Sequence, residues 1–247
     1  MIYITGDTHG DFERIAHFCK KQQTSKSDIM IVLGDAGINS DSSYWDISTK
    51  KQLKEMPITL FCIHGNHEKR PFDIPAYRLI EWNGGLVYAE DEYPNILFAK
   101  DGEVFDFDGQ RTIVIGGAYS VDKYYRLQYG YPWWPNEQPS EQIKKEVEER
   151  LERSKWRVDV VLSHTCPYIY RPIDMFLQGI DQGRVDDSTE RWLGDIESKL
   201  QYDKWYCGHF HINRKVDKLR FMFEDILIFE GGDAGVKRLS EMMSTSG

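Results

Sequence analysis

Short apolar runs recur along this chain, and each is closed at once by Gly, Asp, Ser or His. Ile2–Thr5 runs into Gly6-Asp7, Ile29–Leu33 into Gly34-Asp35, and Ile58–Ile63 into His64-Gly65-Asn66-His67. Val158–Leu162 ends at Ser163-His164, and Trp205–Cys207 at Gly208-His209. The runs are continuous rather than alternating, the pattern of strands buried on both faces. Such strands need cover on both sides, which restricts the chain to a layered α/β arrangement. In open α/β sheets ligands gather at the carboxyl ends of strands, where every one of these polar clusters falls.

Helical patterns separate the strands. Phe12, Ile15, Ala16 and Cys19 share one helical face, with Asp11 expected at the N-cap. Ser140 is placed to cap a helix carrying Ile143, Val147 and Leu151, and Asp187-x-x-Glu190 reads as a capping-box variant before Trp192, Ile196 and Leu200. Ile96–Phe98, Val104–Phe107 and Thr112–Ile115 read as further strands, and Leu219–Phe223 with Ile226–Glu230 as a late strand pair. No repeat, low-complexity tract or linker interrupts the 247 residues, so a single α/β domain of mixed sheets between helices is expected over 1–247.

Composition narrows the function classes. Hydrophobic residues at 40% and aromatics at 13% supply ample core and rule out intrinsic disorder as the main state. No apolar run approaches the roughly 18 residues of a membrane span. Residues Met1–Thr5 carry no basic n-region, so no secretory signal and a cytoplasmic location are expected. The net charge of −9 disfavours a protein that holds long nucleic acid by bulk electrostatics. Cys19, Cys62, Cys166 and Cys207 form no C-x-x-C pair and are expected to be reduced, buried thiols, although the last three each lie two residues from a histidine.

The strand-end residues are Asp7-x-His9, Asp35, Asn66-His67, His164 and His209-x-His211, which include five of the seven histidines. Asp, Asn and His together suit Mn, Fe, Zn, Co or Ni, and the set exceeds what one ion can use. Asp35 is the natural bridge, since each carboxylate oxygen can serve one ion. Two ions roughly 3.5–4 Å apart form a clamp for displacement at phosphorus, with water between them ionised near neutral pH.

The blocks GDTHGD, GDAG, GNHE, His164 and GHFH, in this order, resemble the calcineurin-like metallophosphoesterase family. The resemblance implies a sandwich of two mixed β-sheets flanked by α-helices and a binuclear centre of divalent transition metals, manganese first. It implies Asp7, His9, Asp35 and His211 at one metal, and Asp35, Asn66, His164 and His209 at the other. His67 would be unligated, placed to protonate the leaving oxygen or to bind phosphate. Phe229 to Gly235 resembles the family's closing strand and Gly-rich turn.

Two departures bear on substrate. The family's protein phosphatases carry G-D-x-x-D-R-G after the second strand and Arg before G-N-H-E. Here Ile38 stands where their His-orienting Asp would be, and His64 takes the Arg place. A phosphoprotein substrate is therefore disfavoured. The candidates for phosphate or substrate contact are His64, Asn39, Arg70, Arg126 and Tyr124. The last two lie in an aromatic-rich segment, about 119–139, where Pro and Gly predict an ordered loop or insertion rather than a regular helix. Its rings would either stack a base or pack on one another; Tyr168, Tyr170 and Arg171 carry the same two readings.

The expected function is hydrolysis of phosphomonoesters or phosphodiesters, nucleotide-like ones included, by a metal-bound hydroxide, with no membrane partner and no oligomeric state assigned. A nuclease acting on DNA or RNA ends and a catalytically silent metal-binding scaffold are the alternatives.

Overall fold

The computed structural model describes residues 1–40 and 44–230. In chain order the first half comprises β1 (Ile2–Thr5), α1 (Glu13–Gln22), β2 (Ile29–Val32), α2 (Tyr44–Glu55), β3 (Thr59–Cys62), β4 (Arg78–Trp82), β5 (Gly85–Ala89), β6 (Ile96–Ala99), β7 (Val104–Phe107) and β8 (Gln110–Ile115). The second half adds α3 (Lys123–Tyr129), α4 (Glu141–Arg153), β9 (Val160–Ser163), α5 (Ser188–Glu197), β10 (Lys204–Cys207), β11 (Arg214–Val216), β12 (Leu219–Phe221) and β13 (Leu227–Ile228).

The strands form two mixed sheets, ordered β13-β1-β2-β3-β6-β5-β4 and β11-β12-β10-β9-β8-β7. Parallel pairing runs through β1, β2, β3 and β6 in the first and through β8, β9, β10 and β12 in the second. Antiparallel strands close the edges. The continuous apolar runs now have their explanation. Ile31, Leu33, Phe61 and Ile63 face Val114, Val160 and Leu162 of the other sheet, while Met30, Val32, Leu60 and Cys62 face outward onto α1 and α2. Phe61 meets Phe105 and Phe107 edge-on across the sandwich, with ring centroids 4.9 and 5.2 Å apart, a geometry that adds about 0.5–1.5 kcal/mol per pair beyond the area buried. Behind the second sheet, Val147 and Leu151 of α4 and Trp192 and Ile196 of α5 cover Val161, Trp205 and Cys207. All four cysteines are buried and free. Among the described residues no helix is long and apolar enough to cross a membrane.

Several local expectations change. Ala16 is exposed, and the inner face of α1 is completed by Phe18. Asp11 does bind the first turn, accepting from Glu13 N at 2.9 Å, but Phe12 holds the N-cap position. Ser140 caps α4 through Ile143 N, as its spacing predicts. Asp187 holds the N-cap position of α5 but makes no side-chain cap bond; its carboxylate binds Arg171 and Arg191, and Glu190 accepts from the Thr165 hydroxyl instead. The two late strands do not pair with each other: β12 joins the second sheet beside β10, and β13 joins the first beside β1. The segment expected to be a loop contains α3, ended by Gly130 at φ 72°. Residues 231–235 of the Gly-rich turn lie outside the described residues.

Candidate metal centre

The first sheet brings Asp7, Asp35, Asn66 and His67 to its carboxyl edge, and the second brings His164, His209 and His211 to meet them. The chain turns sharply after each strand. His9, Asp35, His209 and His211 all stand at φ between 45° and 66°, a left-handed conformation that costs non-glycine residues about 1 kcal/mol or more. Two glycines lie against the site's carboxylates. A Cβ on Gly65 would lie 2.0 Å from Asp35 Oδ1, and one on Gly208 would lie 2.2 Å from Asp7 Oδ1. The same carboxylate oxygens accept backbone N–H groups across the gap, from His67 at 2.8 Å and from His209 at 2.9 Å.

The remaining oxygens face histidines. Asp7 Oδ2 lies 3.3 Å from His211 Nε2 and 3.8 Å from His9 Nε2, yet it is buried without a hydrogen bond. Asp35 divides its two oxygens, Oδ1 lying 3.7 Å from His164 Nε2 and Oδ2 lying 3.9 Å from both His9 Nδ1 and His67 Nε2. His209 packs its ring edge-on against His164, centroids 5.1 Å apart. Asp7, His9 and His211 form one group able to hold a cation, and Asp7, Asp35 and His164 another, with ligand atoms within 4.8 Å of one another in each.

Hydrogen-bond polarity supports a cation here. His164 Nδ1 lies 2.7 Å from the Leu33 carbonyl, which only accepts, so Nδ1 carries the proton. Nε2 then turns its lone pair toward Asn66 Oδ1 at 2.8 Å and Asp35 Oδ1 at 3.7 Å. Three acceptors repel one another unless positive charge, a proton or a metal ion, sits among them. The orphaned Asp7 Oδ2 makes the same demand on the other side.

The orientation of Asn66 is itself determined by a buried chain of bonds. Glu137 accepts from Ser120 N, from the Ser120 hydroxyl at 2.5 Å, and from the Trp133 indole N–H at 2.7 Å. With its proton committed to Glu137, Ser120 Oγ accepts Asn66 Nδ2 at 2.9 Å. Glu68 performs a similar service for the backbone, accepting from Gly65 N at 2.7 Å and Ala36 N at 3.1 Å. Glu68 stands in the G-N-H-E block, but no pattern in the sequence connects Ser120 or Glu137 with it.

The electrostatics follow from the crowding. Burial raises the Asp7 carboxyl, but the approach of His211 and the charges of His164, His211 and His9 outweigh that and bring it to about 2. Desolvation, then the neighbouring His164, pulls His209 down to about 3. Desolvation also lowers His67, against the opposing pull of Asp35.

Above these residues lies a cavity of about 440 Å³, lined by Asp35, Asn66, His67, His209 and His211 on the metal-ligand side. The sequence candidates for substrate contact scatter. His64 and Arg70 line a different cavity, of about 270 Å³, and Arg70 binds Asp101 at 2.6 Å. Asn39 is buried against Asp46 and Tyr77, and Ile38 lies in the outer core of the first sheet. Arg126 binds Asp122, a residue of the larger cavity's rim, and Tyr124 is exposed. In the aromatic segment Tyr125 packs on Tyr129 and Tyr131, with centroids 4.6 and 5.8 Å away, and Lys123 Nζ lies 4.3 Å from the Trp133 ring centroid.

The profile of the calcineurin-like phosphoesterase family matches residues 1–213. Comparison with curated protein sequences gives no match. Among solved structures, the chain is similar to TT1561 of Thermus thermophilus, at 12% identity and a TM-score of 0.49, over 90% of this chain and 87% of that one. It is also similar to AQ665 of Aquifex aeolicus, a protein of unknown function, at 15% identity and a TM-score of 0.33, over 67% of this chain and 80% of that one.

Proposed function

Because the chain belongs to the calcineurin-like phosphoesterase family, we propose that it hydrolyses phosphate esters at a pair of divalent cations held between its two sheets. Asp7, His9, Asp35 and His211 would hold one, and Asp35, Asn66, His164 and His209 the other, with manganese the first metal to test. When bound, such cations neutralise phosphate oxygens and lower the pKa of water. The observation that carries this reading is the division of Asp35, whose two oxygens face His164 on one side and His9 on the other.

The remaining roles fall to the chain's own groups. His67 lines the cavity beside Asp35, and its Nδ1 has no hydrogen-bond partner. It is the group placed to hand a proton to the departing alkoxide. With Ile38 in the core, no carboxylate from that position steers the ring, and the backbone bond from His67 N to Asp35 fixes only the main chain there. Buried free thiols agree with a reducing, cytoplasmic setting.

The test is a screen of metal-reconstituted protein against p-nitrophenyl phosphate, bis-p-nitrophenyl phosphate, nucleotides, phosphopeptides and short oligonucleotides. Turnover of small esters that is abolished by chelation and restored by Mn²⁺ supports the proposal. Metal binding without turnover of any ester replaces it with a scaffold, and turnover confined to oligonucleotides replaces it with a nuclease.

A further inference from the structure

The cavity has two chemically unlike sides. Facing the metal-ligand side is a wall supplied by residues 175–185, the later part of the connection between β9 and α5, well after the ligand candidate His164. Met175, Phe176, Leu177, Ile180 and Val185 all line the cavity from it. Phe176 lies parallel to Phe210, the residue between His209 and His211, with centroids 6.4 Å apart and planes 13° apart. The apolar wall therefore reaches the metal-ligand side without a polar break.

Charge along the rim sharpens the contrast. Arg171 is the one Lys or Arg lining the cavity among the described residues, and it is already held by Asp187 at 3.0 Å and stacked 3.6 Å from the Tyr168 ring centroid. Asp122, Asp186, Asp187 and Glu190 also line it. Each has a partner within the protein: Arg126, Gln138, Arg191 and Thr165 respectively. A substrate with negative charges beyond the reacting phosphate would meet four carboxylates and no uncommitted cation, and those carboxylates are already engaged by partners within the protein. A volume of about 440 Å³ suits one small molecule and not a polymer strand.

Resting on the phosphoesterase reading above, we propose that this site takes phosphate esters of compact, uncharged, apolar alcohols, and that Phe176 and Leu177 determine that preference. The organic group would lie against Phe176, Leu177 and Ile180 while the phosphate faces Asp35 and His67. Binding energy from that group is what distinguishes it from a polar alcohol of the same size, and apolar pockets discriminate by about tenfold or more per group fitted.

The experiment uses the full chain with Mn²⁺ and esters of primary alcohols of similar acidity: ethyl, isobutyl and cyclohexylmethyl phosphate, glycerol 3-phosphate and AMP. Each non-nucleotide ester is also supplied as its methyl diester. We expect kcat/KM to rise about tenfold or more from ethyl to cyclohexylmethyl, with glycerol 3-phosphate and AMP well below the latter. Calorimetric Kd values for ethyl- and cyclohexylmethylphosphonate should show the same order. Phe176→Ala should compress both ratios severalfold. Leu177→Ser tests the same wall at a side chain 66% exposed, where folding is not at stake. A flat series in the wild type, a preference for AMP or glycerol 3-phosphate, or ratios untouched by both variants would overturn the proposal. If no ester is turned over at all, the phosphoesterase reading has failed instead.

Discussion

Asn66 donates its side-chain N–H to Ser120 Oγ across 2.9 Å, and that single bond leaves the opposite end of the amide, Oδ1, facing His164. Glu137 enforces the direction, because a carboxylate can only accept the serine proton. Glu137→Gln supplies an amide that can face either way, and Ser120→Ala removes the link. Both should weaken cation binding on the Asn66–His164 side by about 10- to 100-fold, as loss of a ligand's outer partner generally does. Calorimetric titration of metal-free protein with Mn²⁺ measures this; unchanged affinity in both variants would show that Asn66 orients itself.

The division of the Asp35 oxygens predicts an asymmetry between variants. Asp35→Asn should weaken both cation positions, whereas His211→Ala should mainly empty one. Plasma spectrometry after dialysis counts the ions retained, and activity before and after chelation shows whether the metal is required. Full activity in metal-free protein would sink the proposed chemistry.

His67 touches the cavity but is assigned no metal. His67→Gln should keep both ions and lose on the order of 10²–10⁴ in rate on esters with poor leaving groups. The loss should shrink for p-nitrophenyl phosphate, whose leaving group departs without a proton. If the variant loses metal, His67 is a ligand.

Away from the site, Tyr206 gives the fold a measurable alkaline limit. Burial, then the charge of Glu230, pushes its phenol up to about 12, while its O–H donates to the Glu230 carbonyl at 3.0 Å. A raised folded-state pKa stabilises the protein fully below the unfolded value, near 10, and the benefit is lost as pH rises from about 10 to about 12. The difference amounts to roughly 2–3 kcal/mol. Chemical denaturation across that range should show the loss in the wild type and a flatter profile in Tyr206→Phe.

The strands that carry the site were legible because a strand covered on both faces leaves a continuous apolar run, and the residue after it must turn. Met30 and Ile31 face different cores, yet both must be apolar. Partners in space were less legible. Leu219–Phe221 and Leu227–Ile228 are similar short runs, and nothing local tells one to join the second sheet and the other the first. Helix α3 was hidden by the Pro and Gly around it, although Lys123–Tyr129 contains neither and Tyr125 supports Tyr129 one turn on. His64 and Arg70 read as near the chemistry because they lie close to Asn66 and His67 in sequence. At a sharp turn, however, neighbouring side chains diverge, and these two point to another cavity. Glu137 lies 71 positions after Asn66 in the chain, a distance no motif spans.

The ligand set is split between the two sheets and between distant parts of the chain, with His209 N bound to Asp7 Oδ1 across 202 positions. A polypeptide emerging from a ribosome therefore exposes Asp7 and Asp35 long before His209 and His211 exist to complete their surroundings. At roughly 5–20 residues per second, the interval from Asp35 to His211 is roughly 10–35 seconds. For the earlier part of it, until β7, β8 and β9 have been made, the inner face bearing Ile31, Leu33 and Phe61 also waits for its cover. The group of Asp7, His9 and His211 is thus complete only once β10 has been followed by His211, and nascent protein stalled before β10 should retain less metal than the full chain.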